Sequence, residues 1–111
     1  MNMTSGKDQQ GRIRIGYWWG KDEPHLPKPT DFVDLSWDKA EWKLVLFYLS
    51  VCEVVNRYRG MSLCRVCGMF NGSTDLADEK YIFPSGFAHY IQHHDVRPPE
   101  EFVKHVLEKS K

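Results

Sequence analysis

Cys64 and Cys67 stand in CRVCG, and His89, His93 and His94 follow them after a spacer of 21 residues. No other feature constrains the fold as strongly. Two thiolates and two imidazoles reach one ion only if the intervening chain doubles back and delivers the histidines beside the cysteine turn. Both HxxxH (His89, His93) and HxxxxH (His89, His94) lie within the spacing of Cys2His2 zinc sites. Gly68, directly after the pair, lets the backbone turn sharply behind two thiols that point the same way. A hairpin-sized spacer leading into a helix with both imidazoles is the arrangement of a ββα finger with an enlarged hairpin, or of a treble-clef variant.

Two other readings compete. A redox CxxC pair belongs at a helix N-terminus in a βαβ setting, whereas here strands are expected on both sides. In the plainest reading the cysteines are small buried residues and the imidazoles form a solvated helix face. The fourth ligand is open at this point. His93 lies one turn after His89 on the same helix face, while His94 is rotated from it by about 140° on an ideal helix. Arg97 and Pro98 end the helix just beyond, and a loosened last turn can swing His94 back.

Four thiolate and imidazole ligands close a zinc ion, leaving no position for an activated water, so one structural Zn2+ and no catalysis are expected. The enzymatic alternative is a zinc-dependent hydrolase with three protein ligands, an open fourth position, and Asp95 or the spare histidine as base. It lacks any HExxH, HxE with PCxxC, or nucleophile elbow in the sequence.

Around this site the chain has 111 residues, enough for one domain that buries about two thirds of its unfolded surface. Fifteen basic and fifteen acidic residues cancel, which excludes a global field drawing the chain to nucleic acid or anionic membrane. The longest apolar run, Leu44 to Cys52, is too short to span a bilayer. The polar start MNMTSGKDQQ has no apolar signal region, and three cysteines are too few for a secreted disulfide framework. Cytoplasmic location and no membrane association are the expectation.

Residues 1–10 read as a disordered tail and 11–111 as the domain. Arg12 to Ile15 alternates like a half-buried strand, and the proline-rich 20–30 segment reads as an extended surface connection. Ser36 is the expected N-cap of a helix over 37–50. From Leu44 to Leu49 that helix is apolar all round, as for a central helix surrounded by protein. Cys52 to Arg59 reads as a strand, and 74–77 with 80–83 as a hairpin. A short helix is expected over 85–94 and a last helix from Pro99, with a stripe of Phe102, Val103, Val106 and Leu107. The fold class is α+β.

For partners, Arg57, Arg59 and Arg65 interleave with Tyr58 and Phe70 and make a candidate nucleic-acid surface. Three charges give only a weak footprint, and arginines protecting an edge strand are the simpler reading. Trp18 and Trp19, with Tyr17, Trp37 and Trp42 nearby in sequence, offer interface anchors, set against the ordinary use of tryptophan in a small core. A protein partner is favoured, and nucleic acid is the alternative. Cys52 is expected as a buried structural thiol, and His25 and His105 as solvent-facing.

CRVCG, NGSTDLAD, YIFPSGFAHY and HDVRPPEEFVKHV together resemble a set of small, uncharacterised bacterial proteins. These share CRxCG, NG, LTDG, YxWP, GLAHYxxxH, VRLP and FxxHV in the same order. The resemblance covers roughly residues 12 to 107 and carries no activity to transfer. It implies a zinc-finger-like ligand set of Cys64, Cys67, His89 and His94, with His93 as the alternative fourth ligand. Glu79 departs from the pattern's glycine and Phe83 from its tryptophan; a positive φ at Glu79 would cost on the order of 1 kcal/mol.

Overall fold

Tyr81, Ile82 and Phe83 form an uninterrupted apolar run, the composition of a strand covered on both faces. In a computed structural model, which describes residues 3–110, they form β4 (Tyr81–Pro84), buried at each of the three. β1 (Ile13–Arg14) runs parallel to β4, pairing Ile13 with Tyr81 and Arg14 with Ile82. On the other side β3 (Phe70–Ala77) runs antiparallel, with Leu76 opposite Phe83. β2 (Glu53–Leu63) pairs with β3 from Glu53↔Ala77 to Leu63↔Phe70. The sheet order is therefore β1-β4-β3-β2, with β2 at an edge.

Three α-helices complete the α+β domain: α1 (Lys39–Val51), α2 (Phe87–His94) and α3 (Glu100–Lys109). α3 has Glu100 and Glu101 in its first turn and Lys109 in its last, complementing the helix dipole, and it buries Phe102, Val103 and Val106. The core joins Ile15, Val45, Leu49, Phe83, Phe87, Ile91 and Phe102, all at most 1% exposed. Each such side chain contributes about 1.5–3 kcal/mol of apolar transfer. Phe102 meets Tyr81 edge-on, with ring centroids 4.9 Å apart.

Several expectations need correction. Residues 3–10 are not a free tail. Met3 is 1% exposed within the core, Ser5 N donates to Arg14 O at 2.9 Å, and Asp8 pairs with Arg12. Residues 1 and 2 of the expected tail lie outside the described residues. The 20–30 segment is no plain surface connection, since Leu26 and Pro29 are buried and a 3-10 turn follows over Pro29–Phe32. Ser36 does not cap α1: its Oγ is committed to Asp34 Oδ1, and Asp38 accepts from Ala40 N at 2.7 Å instead. Nor is the second half of α1 surrounded by protein. Val45 and Leu49 are buried, but Phe47 is 67% exposed, because only one face of the helix meets α2, α3 and the sheet. Glu79 needs no left-handed backbone, Asp95 being the sole non-glycine residue with positive φ among the described residues.

Candidate metal centre

The cysteines sit in the turn between β2 and β3. Cys64 N donates to Met69 O at 2.8 Å and Gly68 N to Cys64 O at 2.9 Å, while Gly68 takes φ +76, the freedom the sequence reserved for it. This loop folds the backbone around Cys64, whose Sγ lies 3.4 Å from Val66 N and 3.5 Å from Cys67 N. Burial opposes the thiolate of Cys64, but the N–H groups of Cys67 and Val66 outweigh it and hold the thiol below its ordinary value.

The histidines come from α2, whose C-terminal end is fixed from outside. Asp95 adopts φ 56 and its N–H donates to Tyr90 O; Val96 N bonds the same carbonyl at 3.2 Å, closing the last turn. Asp34 N then donates to Asp95 O, Arg97 N to Phe32 O, and Arg97 pairs with Asp34 at 2.9 Å. His94, the last helical residue, is thereby held inward.

One ligand atom from each of Cys64, Cys67, His89 and His94 lies within 4.8 Å of the other three. Cys67 Sγ and His89 Nε2 are 3.4 Å apart, close to the separation of about 3.6 Å that tetrahedral zinc imposes on a sulfur and a nitrogen ligand. The cluster could hold a metal ion. His93 and His94 are equally near His89, with ring centroids 5.0 Å apart in each case, so proximity does not separate them. Burial does. His93 is exposed, whereas His94 Nε2 is buried without a hydrogen-bond partner. Burial, then the neighbouring imidazoles of His94 and His93, hold His89 below the usual histidine range, favouring the neutral form that binds a cation.

Tyr90, between the histidines, is the contributor that spacing does not reveal. Its hydroxyl accepts from Arg65 N at 2.7 Å, joining α2 to the cysteine turn.

A second group, Asp78, Glu79 and His105, also brings ligand atoms together. His105 is not solvent-facing: its side chain is 11% exposed and its Nε2 lies 2.7 Å from Asp78 Oδ2. Asp78 further accepts the Tyr48 hydroxyl and the N–H groups of Lys80 and Tyr81 at 2.8 and 2.7 Å; Lys109 pairs with Glu79. With a cation and four donors already on its carboxylates, this is a bridge between the β3–β4 turn, α1 and α3.

Cys52 is half-buried rather than buried. Its Sγ donates to Tyr48 O at 3.3 Å, and burial, then the Asp78 and Glu79 charges, push the thiol up to about 11.

The expected partner surfaces are rearranged. Trp18 is no interface anchor: it is buried against Phe32, Phe87 and Tyr90, its position on the inward side of the chain opposing that of Trp19. Trp19 is exposed, with Lys28 over its ring. Trp37 is buried, Trp42 half-buried, and His25 exposed. Arg57 and Arg59 are exposed on β2, but Arg65 is held by Trp19 O at 2.9 Å and Leu63 O at 2.6 Å, so the three arginines do not form one free cluster. Sequence reading passed over a different surface: Met61, Leu63, Val66, Met69 and Phe70, each 44–68% exposed, surround the cysteine turn. No helix among the described residues is long and apolar enough to cross a membrane.

No protein-family model, no curated protein and no solved structure matches the chain.

Proposed function

We propose that the chain is a non-enzymatic interaction and regulatory module held together by one structural Zn2+ on Cys64, Cys67, His89 and His94, in a ββα or treble-clef-like arrangement. The observation that carries the metal is the His94 ring, whose Nε2 is buried with nothing to bond and which offers a ligand nitrogen within 4.8 Å of the ligand atoms of Cys64, Cys67 and His89. An orphaned buried nitrogen costs about 1–3 kcal/mol, and coordination removes that cost. Two thiolates and two imidazoles leave no open position, so the ion acts on folding and not on substrate.

The partner is a protein. Supporting this is the apolar collar of Met61, Leu63, Val66, Met69 and Phe70 around the cysteine turn, an unusual exposure of large side chains in one place. Zinc would fix the turn that presents them.

The test is cobalt substitution of the purified chain. One Co2+ per chain with a tetrahedral absorption spectrum indifferent to added cyanide or azide supports the closed site. A spectrum that shifts with the anion reveals an open position and revives the zinc-hydrolase alternative; failure to bind any metal removes the reading.

A further inference from the structure

α1 is apolar almost all round, yet the described chain covers only one side of it. Val45 and Leu49 are buried, and Trp42, Leu46 and Tyr48 pack half-buried against the same core. On the opposite side Ala40, Leu44, Phe47 and Val51 are exposed, the last three at 39%, 67% and 62%. A helix with apolar residues on every side is ordinarily enclosed by protein.

The order of the four exposed residues selects the kind of cover that fits. They are spaced 4, 3 and 4 apart along the helix, the a/d seam of a two-helix coiled coil and not a scatter of single apolar side chains. That spacing reads the same from either end. A second α1 laid antiparallel sets Ala40 against Val51 and Leu44 against Phe47, and a two-fold axis makes each pairing twice.

Charge selects the same arrangement. Lys39 and Lys43 are exposed in the first half of α1, whose last turn holds no basic residue. Neither lysine forms an ion pair among the described residues, although Lys39 lies over the Trp42 ring. In an antiparallel pair the lysines of one copy come beside the C-terminal end of the other, where the backbone carbonyls carry partial negative charge and the exposed Glu53 follows. A parallel pair would set lysine against lysine instead.

The geometry points to self-association, with α1 of one copy docked antiparallel on α1 of a second copy through Ala40, Leu44, Phe47 and Val51. A 13-residue helix is about 20 Å long. A contact of that length belongs at the small, transient end of interfaces, so a Kd of about 0.1 mM is expected. None of the four residues belongs to the apolar collar at the cysteine turn, and the dimer needs neither the metal nor the partner proposed above.

The test is sedimentation equilibrium of the full chain from about 10 μM to 1 mM, on both sides of that Kd, in reductant so that the exposed Cys67 forms no cross-link. The weight-average mass should climb from 13.0 kDa toward twice that value. Phe47→Glu leaves the core untouched and should weaken association about tenfold or more, because it sets like charges together at the seam. Replacing both lysines, Lys39→Gln with Lys43→Gln, should weaken it about threefold. Amide shifts followed by NMR over the same dilution series should move along α1. A chain that stays monomeric at the highest concentration overturns the proposal, as does a dimer indifferent to Phe47→Glu. Shifts confined to the cysteine turn, or association strengthened by the lysine replacements, overturn it as well. Phe47-dependent binding of a monomeric chain to phosphatidylcholine–phosphatidylglycerol vesicles would make this face a lipid contact in place of a dimer seam.

Discussion

The backbone N–H of Arg65 donates to the Tyr90 hydroxyl at 2.7 Å, across 25 residues of sequence. Arg65 lies between the two cysteines and Tyr90 directly after the first histidine. One bond therefore sets the distance between the two halves of the candidate metal centre before any ion arrives. Outer partners of this kind orient ligands and raise affinity without touching the metal.

Tyr90→Phe keeps the ring in the core and deletes the hydroxyl's bond to Arg65 N together with its contacts to the Cys64 thiol and the Asn71 side chain. Zinc affinity should fall by roughly tenfold, the lower end of such effects, with the fold intact by circular dichroism. Competition with a chromophoric chelator measures it. An unchanged affinity would mean that the cysteine turn holds its shape from its own N–H···S contacts and Gly68 alone.

Metal removal should act locally. The cysteine turn is exposed apart from Cys64 and is tied down at few points, while α1 and α3 meet over Val45, Leu49, Phe102 and Val106, far into the apolar core. Chelation of the zinc-loaded chain should therefore abolish amide protection over 63–72 and 88–96 and spare α1 and α3. Structural zinc is worth about 10–16 kcal/mol in finger peptides, so a change confined to fraying of a few amides would show that the core, not the ion, holds this region.

How much of this could be read from residues alone follows from which constraints are local. The cysteine turn, the β3–β4 hairpin and the starts of β2, α2 and α3 were legible, because CxxCG, the YIF run and paired prolines act within a few residues, whereas Asn71 and Gly72, a turn signal in sequence, lie inside β3. Met3 in the core was not: nothing in MNMTSG has a period, and its burial comes from the bridge of Lys7 with Ile13 that folds the start of the chain back. The exposure of Phe47 and the burial of His105 were equally hidden. Each depends on what stands opposite, and for His105 this is Asp78, 27 residues away.

Acid should loosen the Asp78 bridge. Burial raises the Asp78 pKa, but bonds from Tyr48, the N–H groups of Tyr81 and Lys80, and His105 outweigh it, leaving the group below its ordinary value of 3.8. A carboxyl lowered by folding contributes stability above its unfolded value and loses it as pH falls through the folded one. The chain should then lose stability below about pH 4. Asp78→Asn should cost roughly 1–3 kcal/mol at neutral pH and flatten the acid limb of a urea-midpoint profile. A variant with the wild-type slope would place the acid sensitivity elsewhere.

Binding of generic duplex or single-stranded nucleic acid should be absent near physiological salt, about 150 mM. Arg57 and Arg59 are the members of the arginine set whose side chains stand without a hydrogen bond among the described residues, whereas Arg65 is tied to the protein through Nε on Trp19 O and Nη1 on Leu63 O. Two phosphate contacts give a salt slope of only about −1.8 on duplex DNA. Sub-micromolar retention at that salt, lost on replacing Arg57 and Arg59 together, would instead make nucleic acid the partner.

His94→Ala should weaken zinc binding far more than His93→Ala. Spacing alone favours His93, one turn from His89, and both rings stand 5.0 Å from the His89 ring. The environments differ, however. His93 is exposed and gains nothing from the protein that water does not supply. His94 is turned inward where α2 ends in the left-handed Asp95, and its Nε2 has no partner. Losing a ligand from a closed site opens it to water, so His94→Ala should both lower affinity and make a cobalt-loaded chain sensitive to cyanide. His93→Ala should do neither. The reverse order would show that α2 rewinds on metal binding to present His93, and equal small losses would mean that only Cys64, Cys67 and His89 hold the ion, leaving a fourth position open to chemistry.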